Sequence, residues 1–390
     1  MNRVVILGGG YGGVVLTKKL LKLVRKHKLP IKVVLIDRND YHVLLPALPK
    51  CISNPDSKVL VKFLDVFKGS GDNFEFIQGE VSGISAGSRK VVLSDAREVE
   101  YDDLVIALGA QPNDFGIQGL RENAIMFWNE KDTIRYINKL RSFTEKGISP
   151  RIVIVGAGPV GLEVASETCY YLKKLGLTPN IKVVEAKDRA LPALPEELSK
   201  TITKFLEKLG VKFEYNCPVC NVYESNILSS DGRTFDYDIL VWSSGVKAND
   251  ITNKILDSEV EKGPQGKLVT DEFYRVSEES GIWAIGDICV NSKYGMSFTN
   301  LAQFAIQMAE YCAVNIVNKY LGKPLVPAKL TFKGIVIQLS KFKASAYIPK
   351  PFRIILSPSF IGVLLREFID INYLINIRAL GKVKPLKEIM

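Results

Sequence analysis

The chain has 390 residues, 47% of them apolar, and a formal net charge of +10. It is long enough for two substantial cores, yet no apolar stretch runs unbroken for the ~18 positions a membrane-crossing helix needs. Twelve Lys or Arg against three acids fall in residues 323–390, a net +9 that leaves +1 for the rest; this argues against a nucleic-acid-binding body and for one end drawn to an anionic surface.

Val4–Leu7 reads as a short buried strand running into Gly8-Gly9-Gly10-Tyr11-Gly12-Gly13, with a helical pattern over Val14–Val24. In such a turn Gly8 makes the tight bend, Gly10 lets the backbone approach a pyrophosphate, and Gly13 packs helix against strand. Unpaired N–H groups at the helix start then face the anion. The next apolar run, Val33–Ile36, ends in Asp37, 24 residues beyond Gly13, a spacing suited to ribose hydroxyls. Leu104–Ala107 is a further buried strand that returns to the edge of this site, and the chain crosses over after Gln111-Pro112-Asn113.

The pattern then repeats. Ile152–Val155 leads into Gly156-Ala157-Gly158-Pro159-Val160-Gly161 and a helix over Leu162–Leu175, and Ile181–Val184 ends in Glu185, again 24 residues past the last glycine. Glu185 would repel a 2′-phosphate, favouring NAD over NADP, with Lys187 and Arg189 as nearby counterweights. Leu209–Tyr215 and Ile239–Trp242 read as strands, with Ser243-Ser244-Gly245 the turn closing the second site. Ile282–Asp287 is a short strand ending in a turn, and Phe298–Tyr320 a long helix.

In the tail Phe360, Ile361, Leu364, Leu365, Phe368, Ile371, Leu374, Ile375 and Ile377 recur at helical spacing, with Arg366, Glu367, Asp370, Asn372 and Asn376 mostly elsewhere. Such a helix suits the interfacial plane of a bilayer, or packs on the body or on a second copy in a homodimer. Abundant Ile, Val and Lys with few Gln and His hint at a thermophile. No secretory leader is expected before Val4, and six irregularly spaced cysteines make no disulfide scaffold, which fits a reducing cytoplasm.

Two dinucleotide sites in one chain imply electrons passing from one bound cofactor to another. The expected fold is α/β, with two Rossmann-like domains: a split first domain (1–113 and 276–325) around a second (114–275), and a basic C-terminal membrane-associating region (326–390).

These residues resemble the two-dinucleotide-binding flavoproteins, and more closely type II NADH:quinone oxidoreductase, whose sister family is sulfide:quinone oxidoreductase. The resemblance spans essentially the whole chain. It implies FAD at Gly8, Gly10 and Gly13, at Asp37, Arg38 and Pro46, at the Ala107-Leu108-Gly109 turn (the usual Thr being Leu108), and at Asp287. It implies NADH at Gly156, Gly158, Gly161, Glu185 and Gly245. Ala302-Gln303-Phe304-Ala305-Ile306-Gln307 resembles the family's quinone-side segment; Gln303 and Gln307, four apart, share a helix face. Lys333 matches the tail lysine near the quinone, and Glu163 orders the nicotinamide, joins a proton path, or only packs at the helix start. The activity so implied is FAD-dependent electron transfer from NADH to a membrane quinone without proton pumping, at the cytoplasmic face of the cell membrane.

Sulfide oxidation would need redox cysteines flanking the flavin. Cys169 lies deep in its helix, and Cys51 and Cys289 read most simply as inert buried thiols. Cys217-Pro218-Val219-Cys220 has redox-pair spacing but follows a strand of the nicotinamide domain, so a disulfide reductase, a structural disulfide and a non-enzymatic dinucleotide scaffold stay as alternatives. Two thiols without neighbouring ligands are half a zinc site, and no metal is expected.

Overall fold

The computed structural model describes residues 1–257, 259–278, 281–295 and 300–390. In the first sheet Asn2–Leu7 is central, parallel to Ile31–Asp37 on one side and Asp103–Ile106 on the other. Phe74–Gln78 extends one edge. The other edge is built from residues late in the chain: Ile282–Ala284 pairs parallel with Asp103–Ile106, and Arg275–Ser277 adds antiparallel to it. The inner strands are continuous buried apolar runs, as a parallel sheet covered on both faces requires. Helices Tyr11–His27 and Ala302–Tyr320 pack closely on each other, since a Cβ on Gly12 would already stand 3.4 Å from the Ala305 carbonyl oxygen.

The second sheet is wholly parallel, in the order Ala124–Ile125, Ile239–Trp242, Arg151–Val155, Asn180–Val184, Val211–Glu214. An antiparallel rung between Ala110–Pro112 and Val246–Ala248 links the two units. Ile255–Leu256 then pairs with Val81–Ser85 of the first.

The long late helix starts later than the sequence pattern suggests. Asn300 has a φ of 61° and Leu301 is extended, so helix begins only at Ala302; Phe298 lies outside the described residues.

The tail holds an unforeseen antiparallel sheet, Ile335–Ser340, Lys343–Ile348 and Ile354–Ser359, which carries helix Phe360–Asn376. The apolar stripe does not seat on the body as a unit: Val363, Arg366, Tyr373, Leu374 and Ile377 face inward, while most of the stripe stays outside together with Glu367, Asn372 and Asn376. Arg366 is buried together with Tyr373 and Leu374, whereas Phe360, Ile361, Leu364, Phe368, Ile371 and Ile375 are exposed, Phe368 at 67%. Lys384–Pro385 finally pairs with Lys58–Lys62. Among the described residues no helix is long and apolar enough to cross a membrane.

Candidate active site

The two glycine turns have the same steric logic. Gly8 and Gly156 have φ of +97° and +103°, a left-handed region that glycine enters without strain. A Cβ on Gly13 would lie 1.8 Å from the Gly8 carbonyl oxygen, and one on Gly161 2.1 Å from that of Gly156. The middle glycines differ: a Cβ on Gly10 or Gly158 meets nothing within 4 Å. Each heads a helix, Tyr11–His27 or Pro159–Lys174, with no side-chain cap. The protein itself does not need glycine there, whereas a pyrophosphate laid against the first N–H groups does, so the residues fit a dinucleotide.

Both acids after the second strand hold their loops. Asp37 accepts from Gly9 N–H at 2.6 Å and from Asn39 N–H at 2.8 Å. Glu185 accepts from Ala157 N–H at 2.7 Å and from Lys187 N–H at 2.9 Å. Burial raises the Asp37 carboxyl above its ordinary range, against the pull of those N–H groups. Arg189 donates to the carbonyls of Leu191, Pro192 and Leu194 at 2.8–3.0 Å. Its guanidinium is thus turned to the backbone and counterbalances Glu185 less than its position suggests.

Around the first turn, Ala107 closes on Gly8, where a Cβ would stand 2.6 Å from the Ala107 oxygen. Gly109 and Gly245 have φ of +68° and +71°. Arg38 is exposed. The Pro46 carbonyl accepts from Arg366 Nη2 at 2.8 Å. Asp287 accepts from Asn300 N–H at 2.8 Å and is raised by burial. The buried Lys267, which the sequence did not single out, donates to the Asp287 carbonyl and to Asn300 Oδ1.

Helix Ala302–Tyr320 turns both glutamines toward one segment of the tail. Gln303 donates to the Gly334 carbonyl at 2.8 Å and accepts from Lys333 N–H at 2.9 Å. Gln307 donates to the Thr331 carbonyl at 3.0 Å and accepts from Thr331 N–H at 2.9 Å. The pair therefore clamps residues 331–334, a stretch without ladder partners of its own. Lys333 enters through its backbone, and its side chain is exposed.

The second fingerprint helix carries two buried carboxylates one turn apart. Glu163 accepts from Gln338 N–H at 2.9 Å, and Glu167 accepts from the Ser53 hydroxyl. Burial pushes both up to about 7, although Arg366 and Lys50 draw Glu163 down, and Ser53 and Lys50 draw Glu167 down. Arg366 also bonds Asp370 at 3.2 Å, and Lys50 stands 3.7 Å from the same carboxylate. This cluster joins the second unit's helix to the Pro46 loop of the first and to the tail. Glu163 was visible beside its fingerprint; Glu167 had the i+4 spacing as its signal, and Lys50 had none.

All six cysteines are free thiols, and five are buried. Burial lifts Cys51, Cys169 and Cys289 to about 12, so none is a ready thiolate. Cys217 points inward while Cys220 is exposed and donates to the Leu228 carbonyl.

Residues 2–309 match the family model of the pyridine nucleotide-disulphide oxidoreductases. A type II NADH:quinone oxidoreductase of Haemophilus influenzae is 29% identical over 394 residues, covering 90% of this chain and 88% of that protein. The structure of NDH2 from Plasmodium falciparum in complex with NADH superposes with a TM-score of 0.81 at 20% identity, covering 99% of each chain. The sulfide:quinone oxidoreductase of Aquifex aeolicus does so with 0.80 at 18% identity, covering 97% of this chain and 92% of that one. The chain belongs to the pyridine nucleotide-disulphide oxidoreductase family, and its sequence kinship within it is with the type II NADH:quinone oxidoreductases.

Proposed function

We infer that this chain is an FAD-dependent NADH:quinone oxidoreductase that pumps no protons. The observation that carries this reading is the pair of glycine turns, each with a middle glycine that only a ligand requires. The discontinuous first unit, 1–113 with 276–325, is the FAD domain, and Gly8, Gly10, Gly13, Asp37, Arg38, Pro46, Ala107, Gly109, Asp287 and Ala302 are its contacts. Residues 114–275 form the NADH domain, with Gly156, Gly158, Gly161, Glu185 and Gly245 as contacts. Bound there, FAD would supply the redox chemistry between NADH and quinone.

The side chains position and neutralise. Open N–H groups at the starts of the two fingerprint helices face the pyrophosphates. Glu185 excludes a 2′-phosphate. Gln303 and Gln307 fix residues 331–334 as a wall of the quinone pocket beside Lys333, and the Glu163 and Glu167 carboxyls hold a proton near neutral pH within the same region. Anaerobic titration tests the donor: NADH should bleach the flavin band and sulfide should leave it, whereas bleaching by sulfide that is lost on replacing Cys51 or Cys289 would favour sulfide oxidation.

The basic region 326–390 meets an anionic lipid surface at the cytoplasmic face of the cell membrane, its outward apolar residues entering the interface. Deleting residues 360–390 is a poor test, because Tyr373, Leu374 and Ile377 belong to the core. Ile361→Ser, Phe368→Ser and Ile375→Ser together change only exposed positions. Burying such side chains gives about 1.5–3 kcal/mol each, so the triple variant should bind phosphatidylglycerol liposomes at least ~100-fold more weakly. Its unfolding free energy should change little, and undiminished liposome binding would place the contact elsewhere.

A further inference from the structure

Gly9 lies within the first glycine turn, and both of its backbone polar groups are held. Its N–H goes to Asp37, and its carbonyl oxygen is 2.9 Å from Nδ1 of His42. A carbonyl only accepts, so Nδ1 carries the proton and Nε2 is left as acceptor. The Tyr373 hydroxyl, 3.0 Å from Nε2, is its donor. Burial keeps the imidazole neutral, pulled down to about 4. The Tyr11 ring packs on Tyr373 at 4.6 Å and edge-on to His42 at 4.9 Å. Further along the same helix, Lys18 donates to the Ile377 carbonyl at 2.6 Å.

The second turn is closed differently. Its corresponding residue, Ala157, gives its N–H to Glu185 and accepts from Leu191 N–H at 3.0 Å. Both partners come from the same unit. Of the two turns, the first is closed by a side-chain relay, and that relay ends at Tyr373, 331 residues beyond His42, on the inner face of the helix whose outer face exposes Phe360, Ile361, Leu364, Phe368, Ile371 and Ile375.

We propose that His42 and Tyr373 are positioning residues of the first dinucleotide site, and that through them the seating of helix Phe360–Asn376 and the retention of the dinucleotide form one coupled equilibrium. The proposal rests on FAD occupying the first turn. Releasing the Gly9 carbonyl lets the peptide rotate its oxygen toward the phosphates, and by reciprocity a bound dinucleotide tightens the helix seat.

Tyr373→Phe keeps the ring on Tyr11 and deletes only the hydroxyl; His42→Phe removes the whole relay. FAD affinity of the full-length apoprotein is read by flavin fluorescence, and NADH affinity is read separately. Proteolysis of residues 360–376 is followed with and without FAD. Tyr373→Phe should weaken FAD about 5–10-fold, the value of one buried hydrogen bond, and abolish FAD-dependent protection of the helix, with NADH affinity unchanged. A lowered unfolding midpoint with FAD affinity and protection both intact would overturn the proposal, leaving the relay merely structural. Should His42→Phe fail to fold, Tyr373→Phe decides alone. FAD binding that survives Gly10→Val would instead refute the assignment of FAD to the first turn.

Discussion

Gly158→Val should leave a folded, yellow protein that NADH no longer reduces, and Gly161→Val should leave no folded protein at all. The two sites are three residues apart and carry the same residue type, so the contrast isolates what each glycine is for. At Gly158 φ is −75° and the backbone is extended, which valine adopts readily, and a Cβ meets nothing. Stability should therefore hold or rise slightly, since replacing glycine at a compatible site restricts the unfolded chain by about 0.4–1 kcal/mol. The isopropyl group instead fills the space a pyrophosphate needs, and NADH affinity should fall at least ~100-fold, about 2.7 kcal/mol. At Gly161 the Cβ would sit 2.1 Å from the Gly156 oxygen and 2.7 Å from Ser243 Oγ; backbone on one side and a closing turn on the other leave no room, and a loss above ~4 kcal/mol is expected. Thermal unfolding, flavin absorbance and stopped-flow reduction by NADH check all three outcomes. Gly158→Val with wild-type reduction would move the NADH site elsewhere. The paired experiment at Gly10 should cost FAD itself.

The glycine turns were legible because their requirements are local. A tight bend, a close helix and an open anion face are all specified within six residues. The acids at Asp37 and Glu185 were legible by position, but their hold on Gly9 and Ala157 was not, since spacing gives an approach and not a partner. Gln303 and Gln307 were readable as a pair on one face. What they face, residues 331–334, has no periodicity to betray it and is fixed only by the amides themselves. The tail helix shows the limit most clearly. Hydrophobic periodicity tells which residues share a side, and leaves open whether that side meets a bilayer, the body or a second copy. Here Arg366 goes inward because it finds Asp370 and the Pro46 and Val336 carbonyls, partners distributed over more than 300 residues. His42 to Tyr373 is a contact of the same kind. Long-range polar pairing leaves no trace in a local pattern, so it is where sequence reading fails at this site.

Glu167→Gln should make the protein more stable at pH 8.5 and no more stable at pH 5. The Glu167 carboxyl is raised from 4.5 to about 7, first by burial and also by the neighbouring Glu163. A group whose folded value lies above its unfolded one stabilises the fold fully below about 4.5, and that contribution is lost as pH rises through about 7. Above that point the native state must carry a buried charge that the unfolded chain exposes to water at no such cost. Glutamine is nearly isosteric, can still accept from Ser53, and never ionises. The rise from 4.5 to about 7 bounds the gain at about 3 kcal/mol. Part of that gain is relief of the repulsion between the two carboxylates, since Glu163 is one of the causes that raise Glu167. Urea unfolding at the two pH values measures it directly. A gain of equal size at both would mean that packing rather than charge is at stake, and a loss at pH 8.5 would mean that the ionised carboxylate is well paired in the native protein. The same titration predicts a functional signature: in Glu167→Gln the pH dependence governed by Glu163 should move to lower pH, since its like-charged neighbour one helical turn away is gone.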